Sequence, residues 1–180
     1  ERMQRWLKDY PQKAEFRAIY GLGRLFLDLE DFEEAARHFR SVLELHKGHA
    51  IARRGLALAL DALGKSTEAE QELKHAIWWA RLNQQPLEVF YHDLGLFYVE
   101  QQRYRDAQEA LERAIEESPD SYSNYWHLGR AFMGQSRHQE ASAALLMALD
   151  KAPRDLGPTA GEEISQLLEE CEEQLKTERM

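Results

Sequence analysis

The groups in this 180-residue chain that could do chemistry are few and scattered. Its seven histidines stand at 38, 46, 49, 75, 92, 127 and 138. Only His46 and His49, in His46-Lys47-Gly48-His49, are close enough in sequence to share a metal ion. A metal site needs further ligands and groups behind them that fix their orientation, so the pair reads as a solvated turn. No His-Glu-x-x-His occurs, and no complete glycine-rich phosphate loop ending in Lys-Ser or Lys-Thr is present. Gly21-Leu22-Gly23 lacks the third glycine of a dinucleotide fingerprint and falls within a helical pattern. Carboxylate pairs such as Glu116-Glu117 and Glu169-Glu170 sit on solvated helix faces, where nothing would shift their pKa toward catalytic use. A single cysteine, Cys171, excludes an internal disulfide framework and a cysteine-based zinc site. The expectation is therefore no enzyme, no metal and no cofactor. What remains is arginine and aromatic side chains, whose chemistry is recognition: a planar guanidinium meets a carboxylate, and rings supply contact area.

Those side chains need elements to hold them, and a repeat supplies the elements. Tyr91-x-x-Leu94-Gly95-x-x-Tyr98 returns as Tyr125-x-x-Leu128-Gly129-x-x-Phe132, an offset of 34 residues. The same offset carries Ala107 to Ala141, Leu111 to Leu145, Ala114 to Ala148 and Pro119 to Pro153. Four blocks result, 16–49, 50–83, 88–121 and 122–155, with Gln84–Leu87 inserted between the second and third. In each block the first run of fixed positions falls at i, i+3, i+4 and i+7, one face of a helix. Ala107, Leu111 and Ala114 form a second helical stripe. Gly95 and Ala107 let the two helices approach, while Tyr91, Tyr98 and Leu111 fill the space around them. Pro119 and Pro153 end each pair, because proline lacks the N–H donor and disfavours helix in the residue before it. One pair cannot bury its apolar face alone, so the pairs must stack.

Residues 162–178 carry Ile164, Leu167, Leu168, Cys171 and Leu175 on one helical face, with Glu162, Glu163, Glu169, Glu170, Glu172 and Glu173 toward water. A capping helix over 161–178, covering the last block, is the expectation; an acidic docking helix for a basic partner is the sharper alternative. Residues 1–15, with Met3, Trp6, Leu7 and Tyr10 on one face before Pro11, read as a short N-terminal helix or the remnant of an upstream repeat. The chain opens on Glu1, which suggests a processed or excised piece. Two departures from the pattern stand out. Arg53 occupies a place that wants a large apolar residue, and Lys47 and Arg81 replace the exit proline in blocks one and two. The inserted residues predict about one extra turn on the second helix of block two, extending it to about 87.

The pattern resembles the tetratricopeptide repeat family of 34-residue helix–turn–helix units. All eight signature positions match in blocks three and four and six in each of blocks one and two, over roughly 140 residues. The resemblance implies an all-α fold: a right-handed α-solenoid of antiparallel helix pairs, four tandem repeats plus a C-terminal capping helix. It also implies that the first helices line a concave groove where peptides lie. The positions that correspond are Arg17, Tyr20, Arg24 and Leu27 in block one, and Arg54, Leu58 and Asp61 in block two. Block three contributes His92, Leu96, Val99 and Glu100; block four contributes Ser123, Trp126, Arg130 and Met133. The carboxylate clamp of one subgroup, which holds chaperone tails, would need Lys, Asn and Arg where this chain has Tyr20, Arg24, Gly55, Val89 and Asp93. Chaperone tails are therefore not expected as ligands.

Charge refines the partner. The formal net charge is −9, which argues against nucleic acid and anionic lipid, since both reward clustered Lys and Arg. No run of about 18 apolar residues encodes a membrane span, and the cytoplasm is the favoured compartment. The four first helices sum to zero charge, whereas residues 156–180 carry −5. With Arg17, Arg24 and Arg54 concentrated in blocks one and two, the expected partner is a protein or peptide with apolar anchors and an acidic or carboxylate group. The expected function is a protein–protein interaction scaffold or adaptor. The alternative is self-association, a homo-oligomer built through the solenoid ends or the convex face by Trp6, Trp78 or Trp79.

Overall fold

The computed structural model describes residues 11–153 and 158–177. Among them nine α-helices and no strand occur: α1 (Pro11–Asp28), α2 (Phe32–Leu45), α3 (Ala50–Ala62), α4 (Ser66–Leu82), α5 (Glu88–Glu100), α6 (Tyr104–Glu117), α7 (Tyr122–Gly134), α8 (His138–Lys151) and α9 (Pro158–Thr177). The expected helix over Met3, Trp6, Leu7 and Tyr10 lies outside the described residues. Pro11 opens α1, where the missing N–H costs nothing because the first helical donors have no intrahelical acceptor. The first helix of block one thus begins five residues ahead of position 16.

The chain divides into two compact units, 1–85 and 86–180. In the first, α1 packs on α2, α2 on α3 and α3 on α4, and the two first helices α1 and α3 also touch. In the second, α5 to α9 pack in the same succession, with further contacts of α5 with α7 and α7 with α9. Three residues join the two helices of every repeat, which forces them antiparallel.

Each first helix closes through the same left-handed turn. At the end of α3, Gly64 N–H donates to Asp61 O (2.8 Å) and Lys65 N–H to Leu60 O (2.9 Å), with Gly64 at φ 72. This is the paired-bond helix end that satisfies orphan carbonyls. Glu30, Gln102 and Ser136 take the same place in α1, α5 and α7 at φ 58, 57 and 58. Only in α3 does glycine fill it.

The repeat's small residues act by contact. A Cβ on Gly95 would stand 2.5 Å from Leu111 Cγ, and one on Gly129 would stand 2.7 Å from Leu145 Cγ. Leu111 and Leu145 are fully buried, as are Ala107, Ala114, Ala141 and Ala148. In the first unit Phe39, 1% exposed, fills the same role against Gly23 and Gly55.

Arg53 keeps the register of α3. Leu56, Ala57 and Leu60 are buried as the pattern requires. The Arg53 guanidinium donates to Glu72 Oε2 (2.6 Å) and to Lys47 O (2.9 Å), a half-buried ion pair where other repeats place an apolar side chain. The second helix of block two is longer, 17 residues against 14 in α2, α6 and α8. It nevertheless ends at Leu82 rather than near 87. Gln84 adopts φ 53, and Gln85 N–H returns to Ala80 O (2.9 Å), so a left-handed turn at the first inserted residue keeps the helix from continuing into the insertion. Asn83 Nδ2 then ties that end to Gly48 O (3.0 Å).

The C-terminal helix starts at Pro158, ahead of the expected 161. Ile164 and Cys171 are fully buried and Leu167, Leu168 and Leu175 half-buried, so its apolar stripe covers the last repeat.

Candidate functional site

In the first unit, α1 and α3 present Tyr20, Arg24 and Leu27, then Arg54, Leu58 and Asp61. Arg17 and Arg24 are exposed; Tyr20, Leu27, Arg54 and Asp61 are half-buried, and Leu58 is 39% exposed. Arg24 makes no hydrogen bond or ion pair among the described residues. Tyr20 has a structural task as well: its ring meets Phe39 edge-on at 6.0 Å and lies 5.5 Å from His49. Burial pushes the Asp61 carboxyl above its ordinary pKa.

His46 and His49 come together, with ring centroids 5.9 Å apart. His49 Nδ1 is already used, because it accepts the Ala52 N–H (3.0 Å) and caps α3. A capping acceptor must be unprotonated. Burial, followed by the nearby His46, holds His49 below the usual histidine range. Among the described residues no group of three or more His, Cys, Asp or Glu gathers as metal ligands.

In the second unit, α5 and α7 place His92, Leu96, Trp126, Arg130 and Met133 half-buried, with Ser123 half-buried and Glu100 exposed. Val99 is 6% exposed and belongs to the core. Between the two helices runs a polar network. Asn124, fully buried, donates from Nδ2 to Glu88 Oε1 (3.2 Å). A carboxylate only accepts, so the Asn124 amide orientation is fixed and its Oδ1 receives the His92 Nδ1–H (2.6 Å). His127, 7% exposed, lies 5.3 Å from the His92 ring and stacks against Trp126 at 4.9 Å and 18°. Its Nδ1 faces Arg130 Nη1 at 3.4 Å and must be the acceptor, since a guanidinium can only donate. Burial, then His92 and Arg130, lower the His127 pKa to about 3. The imidazole is neutral at physiological pH.

Sequence reasoning missed Glu88, Asn124 and His127. A polar residue on the inward side of a first helix has no signature of its own, and only its partner on the neighbouring helix identifies it. The expectation for α9 is a cap over the last repeat, with an acidic docking helix for a basic partner as the alternative. In the structure α7 and α9 bound a cleft of about 320 Å³ lined by Trp126, Arg130, Glu163, Gln166, Leu167 and Glu170.

Blocks one and four share one arrangement: Tyr20, Arg24 and Leu27 occupy the same repeat positions as Trp126, Arg130 and Met133. An aromatic ring, an arginine one turn on and an aliphatic side chain after that follow each other along the first helix. Among the described residues, no helix is long and apolar enough to cross a membrane.

Comparison with known proteins agrees with this architecture. A family model described as tetratricopeptide repeat matches residues 20–86 and 92–155. The unmatched 87–91 begin at Leu87, the last residue of the insertion after block two. No curated protein sequence matches the chain. Among solved structures, MamA aligns at 24% identity and TM-score 0.69, over 82% of this chain and 83% of its own. The Pseudomonas aeruginosa protein pilF aligns at 21% identity and TM-score 0.76, over 91% and 72%. TTC0263, a thermophilic repeat protein of the same family from Thermus thermophilus, aligns at 24% identity and TM-score 0.72, over 92% and 86%. At these identities the likeness shows the fold, an all-α helical-repeat solenoid.

Proposed function

The chain belongs to the tetratricopeptide repeat family, and on that premise we propose that it is a protein-interaction module whose first-helix faces bind a peptide segment of a partner. It acts as a scaffold or adaptor rather than as a catalyst. The observation that carries this reading is the aromatic–arginine–aliphatic arrangement repeated as Tyr20, Arg24, Leu27 and as Trp126, Arg130, Met133. Arginine with aromatic rings is the composition enriched in interface hot spots. In the first unit the exposed Arg24, with the part-exposed Leu27 on the same helix and Leu58 on α3, suits an apolar anchor flanked by an acidic side chain or a C-terminal carboxylate, because a guanidinium takes a carboxylate through two parallel bonds.

The test uses a displayed random dodecapeptide library and synthetic copies of the retained sequences. Arg24→Glu and Trp126→Ala are expected to weaken capture by about ten-fold or more, the scale of a lost hot-spot contact. The helical melt of the exposed Arg24→Glu variant should match the parent. Unchanged capture in both variants overturns the reading.

A second reading has its own observation. Trp78 and Leu82, one turn apart on α4, are 57% and 59% exposed. Paired exposure of large apolar groups on one helix face suits an assembly contact between copies of the chain.

A further inference from the structure

We propose that the cleft between α7 and α9 is a subsite for a lysine or arginine side chain of the bound peptide. The inference rests on the peptide-binding reading and extends it to the second unit. It begins with α9 carrying two stripes. Ile164 and Cys171, fully buried, with the half-buried Leu168 and Leu175, pack on the last repeat. Glu163, Gln166, Leu167 and Glu170 follow the spacing i, i+3, i+4, i+7, which aligns them on one helix face, and all four line the cleft.

The chemistry of that face points to a cation. Glu163 and Glu170 are exposed and pair with no cationic side chain among the described residues. Arg130, on the opposite wall, is turned onto His127 Nδ1 at 3.4 Å instead. Two carboxylates therefore face one guanidinium that is already engaged. On the α7 side the cleft is also lined by Trp126, the side chain that best receives a cation over its ring, and Leu167 offers apolar surface to the methylene stem of a lysine or arginine. At about 320 Å³ the cleft lies at the small end of ligand sites, the scale of a side chain with its neighbouring main chain. The second unit thus selects the charge opposite to the one selected by the arginines of the first.

The probe is the same dodecapeptide library, with retained sequences compared to the input. The wild-type protein is expected to retain peptides enriched in Lys and Arg. A synthetic retained peptide should bind the Glu163→Lys/Glu170→Lys protein about ten-fold more weakly or worse, as expected when complementary charges become like charges. The Glu163→Gln/Glu170→Gln protein should fall between, and all three proteins should give the same helical melt, since both positions are exposed. Retained peptides without this enrichment, or whose affinity survives the double charge reversal, overturn the subsite and leave peptide binding intact. A library from which nothing is retained overturns both.

Discussion

His127 shows at the scale of one residue how the fold fixes a protonation state. Its neutral ring accepts from Arg130 and stacks on Trp126 while burial holds its pKa near 3. An unfolded histidine titrates near 6.5. Below that pH the unfolded chain takes up a proton that the folded one refuses, so stability is full above about pH 6.5 and declines as pH falls toward 3. His49 acts in the same direction, because protonation also removes the α3 cap. We expect the unfolding free energy measured by urea titration to decline between pH 6.5 and 5, with His127 contributing up to about 1.4 kcal/mol per pH unit. His127→Asn should flatten that slope; a slope unchanged by this substitution would contradict the assignment. Neither role was legible in the sequence. His127 and Asn124 sit among apolar neighbours in α7, and their function is defined by Glu88 and His92, more than thirty residues away on α5.

At the scale of an element, the sequence conveyed the helices and much of their packing. Gly95 against Leu111 and Gly129 against Leu145 follow from size alone, since a small residue facing a large one repeats at a fixed offset. The end of α4 did not follow. A longer helix was legible from the insertion, but its stop depends on Gln84 entering a left-handed conformation that glutamine does not favour. The cost is offset by the bonds from Gln84 to Arg81 O (3.1 Å) and Gln85 to Ala80 O (2.9 Å). Gln84→Gly should therefore stabilise the protein by about 0.5–1 kcal/mol, and Gln84→Val should destabilise it by a similar amount or more. Chemical denaturation of the two variants decides; loss of stability in the glycine variant would contradict the turn. Arg53 is the complementary case. The sequence marked it as a misfit, and the structure absorbs it through Glu72 and the Lys47 carbonyl without moving the register of α3.

For the whole molecule, the two readings of function differ in where large apolar side chains meet a partner. A peptide ligand uses the first-helix faces, and assembly uses Trp78 and Leu82 on α4. Light scattering at high protein concentration separates them. If the α4 pair is an assembly contact, the parent associates and Trp78→Ala with Leu82→Ala returns it to the monomer; a parent that stays strictly monomeric removes the assembly reading and leaves peptide binding untouched.

The sequence by itself determined that this chain is built of helix pairs, where the second, third and fourth pairs begin and which face of each helix is apolar. Periodicity records these directly, because a helix buries the same positions at every turn and each repeat presents the same surface to the next. Only the tertiary structure decided which polar groups meet. Arg130 turns to His127, Asn124 bridges Glu88 and His92, and Glu163 and Glu170 come to line a cleft with Trp126. Hydrogen bonds and ion pairs depend on distances of a few ångströms between helices, and a repeat pattern fixes the faces that meet without fixing those distances.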